Sequence, residues 1–253
     1  FADCSNLKTL DLSGFDTSSL LTVYYTPQSR SMFEGCSSLV TLVLPEQFDL
    51  SKIGSSSAVT GGNYYLRNMF KGCSSLRELD VSTWNISGIQ SMESMFSDCA
   101  SLTELDVSDW DVSSCKSFSN MFKGCTSLYL LDLSKWSGTQ TGVAIGNMFN
   151  GCTLLESVFV SSVWTTASVS GSTNMFFGCT SIKGEDGTTY DASSVDKTRA
   201  HNGDGGYLRV GTDVEIDPTP YVIWCADNTT LYFLVSTRDL VAGSKFTPDG
   251  ADT

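Results

Sequence analysis

Cysteine is the residue type whose spacing first invites a chemical reading. The 253-residue chain holds nine, and seven of them fall in one phase: Cys4, Cys36, Cys73, Cys99, Cys125, Cys152 and Cys179. Their separations are 32, 37, 26, 26, 27 and 27 residues. If each interval is one coil of a stack, neighbouring thiols lie about 4.7–4.9 Å apart, the spacing of adjacent strands. That distance suits a disulfide, but in-register side chains point the same way, which is poor bridge geometry. Zinc is disfavoured too: the chain has no C-x-x-C pair and a single histidine, His201. The expectation is a row of buried free thiols acting as small hydrophobes. Cys115 and Cys225 are out of phase, and their state stays open.

Other reactive types give no catalytic constellation. His201 sits in the loop-like run Ala200-His-Asn-Gly-Asp-Gly-Gly206, with no G-x-S-x-G element in the chain. Carboxylate pairs recur with the repeat and so carry no specific hydrolase signal. Asp186, Asp191, Asp196 and Asp204 do not fit a calcium loop. Asn85-Ile-Ser87 and Asn228-Thr-Thr230 match the glycosylation sequon, which matters only in a eukaryotic secretory pathway. No catalytic residue, metal or cofactor is expected, and the chain reads as non-enzymatic.

The elements that would position these residues follow from the same period. Each in-phase cysteine belongs to a sentence of the form Met-Phe-x-Gly-Cys-x-Ser-Leu-x-x-Leu-Asp-Leu-Ser-x-Trp, as in Met95 to Trp110. The apolar triplets Leu76/Leu79/Val81, Leu102/Leu105/Val107 and Leu128/Leu131/Leu133 have the L-x-x-L-x-L pattern of a leucine-rich repeat, ending in a half-buried strand. Upstream, Met-Phe reads as a short helical turn. It closes on Gly35, Gly72, Gly124, Gly151 or Gly178, with Asp3 or Asp98 in the other copies, as a left-handed closing residue requires. Trp84, Trp110, Trp136 and Trp164, with Phe15 and Phe48 in the early copies, would form an inner aromatic row.

The expected fold is therefore a leucine-rich repeat solenoid with a parallel sheet on one face and short helical turns on the other. About seven coils span residues 1–182, a C-terminal cap spans 183–217, and a β-hairpin with tail spans 218–253. Insertions around 23–27 and 54–65 become loops on one face. The first copy opens at Phe1 inside its repeat, so a piece of a longer protein is expected.

Net charge is −13 with a pI near 4.3, which argues against nucleic acid and against adsorption to anionic membranes. The longest apolar stretches, Tyr221 to Cys225 and Leu231 to Val235, are too short to span a bilayer, so no membrane insertion is expected. A monomer is expected.

On each strand, outward residues alternate with inward ones and form rows along the sheet. One row reads Thr9, Thr41, Glu78, Glu104, Leu130, Ser157, and the next Asp11, Val43, Asp80, Asp106, Asp132, Phe159. Glu78, Asp80, Glu104, Asp106 and Asp132, flanked by Leu130 and Phe159, form the candidate binding face. Like charges on neighbouring strands are destabilising. Two readings stay open: the acidic row binds a basic segment or a cation, or each Asp bonds its neighbouring Ser and backbone as scaffold.

The repeated sentence resembles the BspA-type leucine-rich repeat proteins found on the surfaces of many host-associated bacteria and some protists. The resemblance covers about residues 1–182, and Gly187-Thr-Thr-Tyr-Asp191 to Thr198 and Tyr221 to Val235 resemble the segments C-terminal to such arrays in that family. It implies an extracellular protein, secreted or at the cell surface, that attaches adhesin-like to a host matrix or cell-surface protein. It carries over no ligand contacts. A passive stalk, or an accessory region of a cell-wall or glycan-degrading enzyme, are the alternatives.

Overall fold

A computed structural model of the chain describes residues 1–15, 31–45, 66–136 and 142–211, with the backbone of 221–223 and 232–234. The early insertions, Phe48 and Cys225 lie outside the described residues. Two compact units divide at Thr212/Asp213.

In the first unit successive copies lie side by side. β1 (Thr9–Asp11) pairs parallel with β2 (Thr41–Val43), and β3 (Leu130–Leu133) pairs parallel with β4 (Ser157–Val160). β5 (Arg209–Val210) pairs parallel with β4 on its other edge. The segments 79–81 and 105–107, where strands are expected, form no ladder. A second line of parallel contact, which the apolar pattern does not signal, runs through single bridges Ser91↔Ser117↔Ala144↔Gly171.

The Met-Phe segments are hydrogen-bonded turns, and no helix occurs among the described residues. Left-handed residues recur four apart: Asn68 (φ 57°) with Gly72 (φ 76°), Asn120 (φ 58°) with Gly124 (φ 73°). Asparagine and glycine tolerate that conformation best, and a helix cannot run through it. Bonding then splits between two directions. Cys73 N–H donates to Phe70 C=O within its own copy, while Phe70 N–H donates to Met95 C=O in the next, at 2.9 Å. Phe96 to Met121, Phe122 to Met148 and Phe149 to Met175 repeat that bond at the same length. The expected helical turns are thus corrected: amides that would point up a helix axis point instead along the stack.

The repeated letters fill the interior. Phe33, Phe70, Phe96, Phe122, Phe149 and Phe176 are fully buried and stack ring on ring, with centroids 5.4–5.9 Å apart. Each such pair adds about 0.5–1.5 kcal/mol beyond its area burial. Trp84, Trp110, Trp136 and Trp164 are buried as expected, and Trp110 and Trp136 donate their indole N–H to Val81 and Val107 C=O, both at 2.9 Å. Phe15, expected in that row, is 63% exposed.

The chain then leaves the repeat and returns. Lys183 N–H still donates to Glu156 C=O, but residues 184–208 make an excursion before β5 resumes the place beside β4. Tyr207 meets Phe176 edge-on, with centroids 5.3 Å apart, and ends the phenylalanine stack. Asp186 and Asp191 tie the excursion together: Asp186 accepts from Thr188 and from Gly205 N–H, and Asp191 N–H donates to Tyr207 Oη.

In the second unit β6 (Tyr221–Ile223) and β7 (Tyr232–Leu234) pair antiparallel as a hairpin, with Val222 opposite Phe233.

Candidate binding face

The repeat cysteines are free, and all but Cys4 are buried. Each of these buried thiols donates to the phenylalanine carbonyl of the preceding copy: Cys36 to Phe1, Cys73 to Phe33, Cys99 to Phe70, Cys125 to Phe96, Cys152 to Phe122 and Cys179 to Phe149, at 2.9–3.1 Å. Burial pushes Cys73 and Cys179 up to about 12. Cys115, two residues before bridge residue Ser117, stands where Ile89 and Val169 stand in their copies. It is a free, buried thiol bonded to Ser117 C=O, and burial raises it to about 11. These thiols are packed too deeply and held too firmly protonated to act as nucleophiles.

The outward face is where polar chemistry gathers. Glu78, Asp80, Glu104 and Asp106 are exposed, while Leu130, Asp132 and Phe159 are half-buried. Asp80 Oδ1 accepts both the N–H and the hydroxyl of Ser82, at 3.1 and 2.7 Å, and Asp106 treats Ser108 alike at 3.0 and 2.7 Å. Asp132 accepts from Ser134 N–H at 2.8 Å, and Asp11 from Ser13 N–H. This is the Asx-turn that aspartate offers its own backbone two residues on. At Asp11 the Ser13 hydroxyl, and then its amide, hold the carboxyl below the usual range. Glu104 differs: loss of hydration, and then the Glu78 charge, raise it.

The seven candidates do not form one uniform patch. Glu78, Asp80, Glu104 and Asp106 are all exposed, and the Glu78 charge acts on Glu104. Leu130 lies opposite Ser157, and Asp132 opposite Phe159, in the paired region. Phe159 is already engaged: the Arg209 guanidinium lies 5.9 Å from its ring centroid and donates to Ser157 Oγ at 2.9 Å. Glu156 is likewise committed, bonded by Lys183 at 2.8 Å and by the Tyr129 hydroxyl. Arg209 was beyond the reach of the repeat pattern, because it arrives after the excursion 184–208, which carries no period.

Among the described residues no group of three or more His, Cys, Asp or Glu side chains is placed to hold a metal ion. His201 is half-buried in the excursion, its Nδ1 3.1 Å from Asn202 C=O. No helix among the described residues is long and apolar enough to cross a membrane.

Residues 28–161, and again residues 64–190, match the family described as "Mycoplasma protein of unknown function, DUF285". This chain is a DUF285 protein. The two matches overlap and are displaced by about one repeat, so the DUF285 pattern reads the same stacked sentence twice. No curated protein matches the chain. The DUF285 matches include all seven candidate residues of the acidic face and stop before Arg199, Tyr207 and Arg209 of the closing excursion.

Proposed function

We propose that this DUF285 protein is a BspA-type leucine-rich repeat solenoid that serves as a non-enzymatic binding module at the cell surface or in the extracellular medium. Its partner is a protein, on a host matrix or another cell, that carries a basic segment. One observation carries this reading: the recurring Phe, Leu and Trp and all but the first in-phase Cys are buried, while Glu78, Asp80, Glu104 and Asp106 are exposed. Stacked repeats present long, shallow faces suited to extended partners. A face with many carboxylates attracts a basic partner, with an association rate that falls as salt rises.

The test is a binding screen of the purified chain against immobilised matrix proteins and whole cells, at low and physiological ionic strength. Salt-sensitive binding that Glu78→Gln with Glu104→Gln weakens, at unchanged thermal midpoint, supports the reading. Absence of binding across the panel refutes it. A passive spacer is favoured by a separate observation: Asp80, Asp106 and Asp132 each already bond their own serine. In that case no substitution on this face alters attachment.

A further inference from the structure

Every boundary inside the stack has a direction. The Phe amide of one coil donates to the Met carbonyl of the next, and the left-handed residue two places on donates forward as well. Gly124 N–H bonds Asn150 C=O and Gly151 N–H bonds Phe177 C=O, both at 2.8 Å. The thiols run the other way, each donating to the phenylalanine carbonyl of the coil before it. A coil therefore shows backbone donors to its successor, and a ring and a thiol to its predecessor. The last coil, with Phe176, Gly178 and Cys179, has the same two amides to place, but no repeated sentence follows it. An amide left without an acceptor inside the fold is costly.

Residues 184–208 supply the missing acceptors. Phe176 N–H donates to Val195 C=O at 2.8 Å, where its counterparts use a methionine carbonyl at 2.9 Å. Gly178 N–H donates to the Tyr190 hydroxyl at 3.0 Å, where its counterparts use the carbonyl just before the next left-handed residue. Tyr207 sets its ring edge-on against Phe176, where a next phenylalanine would stack. Three residues scattered over 190–207 thus reproduce the contacts that a single Met-Phe-x turn makes elsewhere. The segment is also tied to itself: Asp191 N–H donates to Tyr207 Oη at 2.7 Å, and the Arg199 guanidinium lies 5.7 Å from the Tyr207 ring centroid. At the first coil the complementary groups are exposed. Phe1 is 51% exposed and Cys4 is exposed, while their counterparts Phe33 and Cys36 are fully buried. Ala2 corresponds to Lys71, whose carbonyl accepts from Gly35 N–H at 2.8 Å.

Surfaces that fit head to tail build open chains of molecules unless one of them is covered. We propose that residues 184–208 are a stand-in for the next coil, which covers the donor end of the stack and so stops a second chain from adding its first coil there. With the stand-in displaced, Gly178 N–H of one chain meets Ala2 C=O of the second, Phe1 of the second stacks on Phe176, and its Cys4 thiol donates to Phe176 C=O. These are the bonds that already join each coil to the next.

The experiment has two arms, both on the full chain. In the first, amide exchange of wild type is compared with that of Tyr190→Phe. Phe176 and Gly178 should be as protected as Phe149 and Gly151. Tyr190→Phe should speed exchange at Gly178 by about five-fold or more, the scale of one lost hydrogen bond, and leave Gly151 unchanged. In the second, residues 188–196 are replaced by glycine and serine, and sedimentation is followed over a concentration series. Wild type should keep the mass of one chain throughout, and the variant should grow to about twice that mass or more. Its Cys4 should lose reactivity as it associates, and Cys4→Lys in the same background should return it to one chain. Free exchange at Phe176 or Gly178 in wild type, or an unchanged Gly178 in Tyr190→Phe, overturns the proposal. So does wild type that associates, or a variant that keeps its circular dichroism and stays one chain. Association that survives Cys4→Lys also overturns it, as aggregation through exposed core. Should the loop variant not fold, the exchange arm decides alone.

Discussion

Removing one ring from the phenylalanine stack should injure the chain far more than removing an exposed ring of the same type. Phe122 is fully buried, with ring centroids 5.8 Å from Phe96 and 5.9 Å from Phe149. Phe122→Ala deletes the whole side chain from a close-packed site, which costs about 3–5 kcal/mol. Phe122→Leu keeps most of the volume but loses both ring pairs, each worth about 0.5–1.5 kcal/mol, so a cost of about 1–3 kcal/mol is expected. Phe177, the next residue after Phe176, is 52% exposed, and Phe177→Ala should fall within about 0.5 kcal/mol of wild type. Urea titration followed by tryptophan fluorescence and far-ultraviolet circular dichroism reads all three. Because each copy touches only its neighbours, Phe122→Ala should also broaden the transition as the stack divides. A cost below about 1 kcal/mol for Phe122→Ala, or one no larger than for Phe177→Ala, would refute the stack as a source of stability.

Further outcomes follow from the same geometry. In the native state a thiol reagent with peptide mapping should label Cys4 and leave Cys73, Cys99, Cys125, Cys152 and Cys179 untouched, since burial holds their protons; native labelling of Cys125 contradicts the bonding to Phe96. Gly124→Ala should destabilise by about 1–3 kcal/mol, because φ is +73° and the added Cβ meets Asp98 Oδ1 at 2.5 Å. Asn120→Gly, at φ 58°, should be close to neutral, and a large loss there would remove the backbone argument. Asp186 is held at about 2 by Thr188 and Gly205, and Thr198 lowers Asp196 below the usual 3.8. Their contribution is complete above pH 3.8 and is lost as pH falls towards 2. Limited proteolysis should therefore cut within 184–208 first in acid, and Asp186→Asn should bring that cutting to neutral pH.

Much of the interior was legible in the letters. Phe, Cys, Leu and Trp recur at fixed offsets, and a recurring apolar residue in a stack has nowhere to go but inward. The glycines before cysteine were legible for a local reason, their positive φ. Three things were not. The residue before Met-Phe is also left-handed at Asn68, Ser94, Asn120, Asn147 and Asn174, and it turns an expected helix into a turn bonded across copies. The same apolar pattern gives a ladder at Leu131 and none at Leu105, and nothing in the repeated letters marks the difference. The closing excursion has no period, and Tyr207 and Arg209 reach the stack only through tertiary structure. Of the candidate face, the placement of Glu78, Asp80, Glu104 and Asp106 followed from strand alternation. The engagement of Phe159 by Arg209 did not.

The most direct test of the stacked architecture is the exchange rate of four amides, those of Phe70, Phe96, Phe122 and Phe149. Each donates across a copy boundary to the next methionine carbonyl at 2.9 Å. All four should be strongly protected, and protection of Phe122 should fall when Met148 and its copy are removed by truncation. Rapid exchange at these amides, at the rate of exposed turns, would contradict the claim that the repeated sentence builds the interior by bonding each copy to the next.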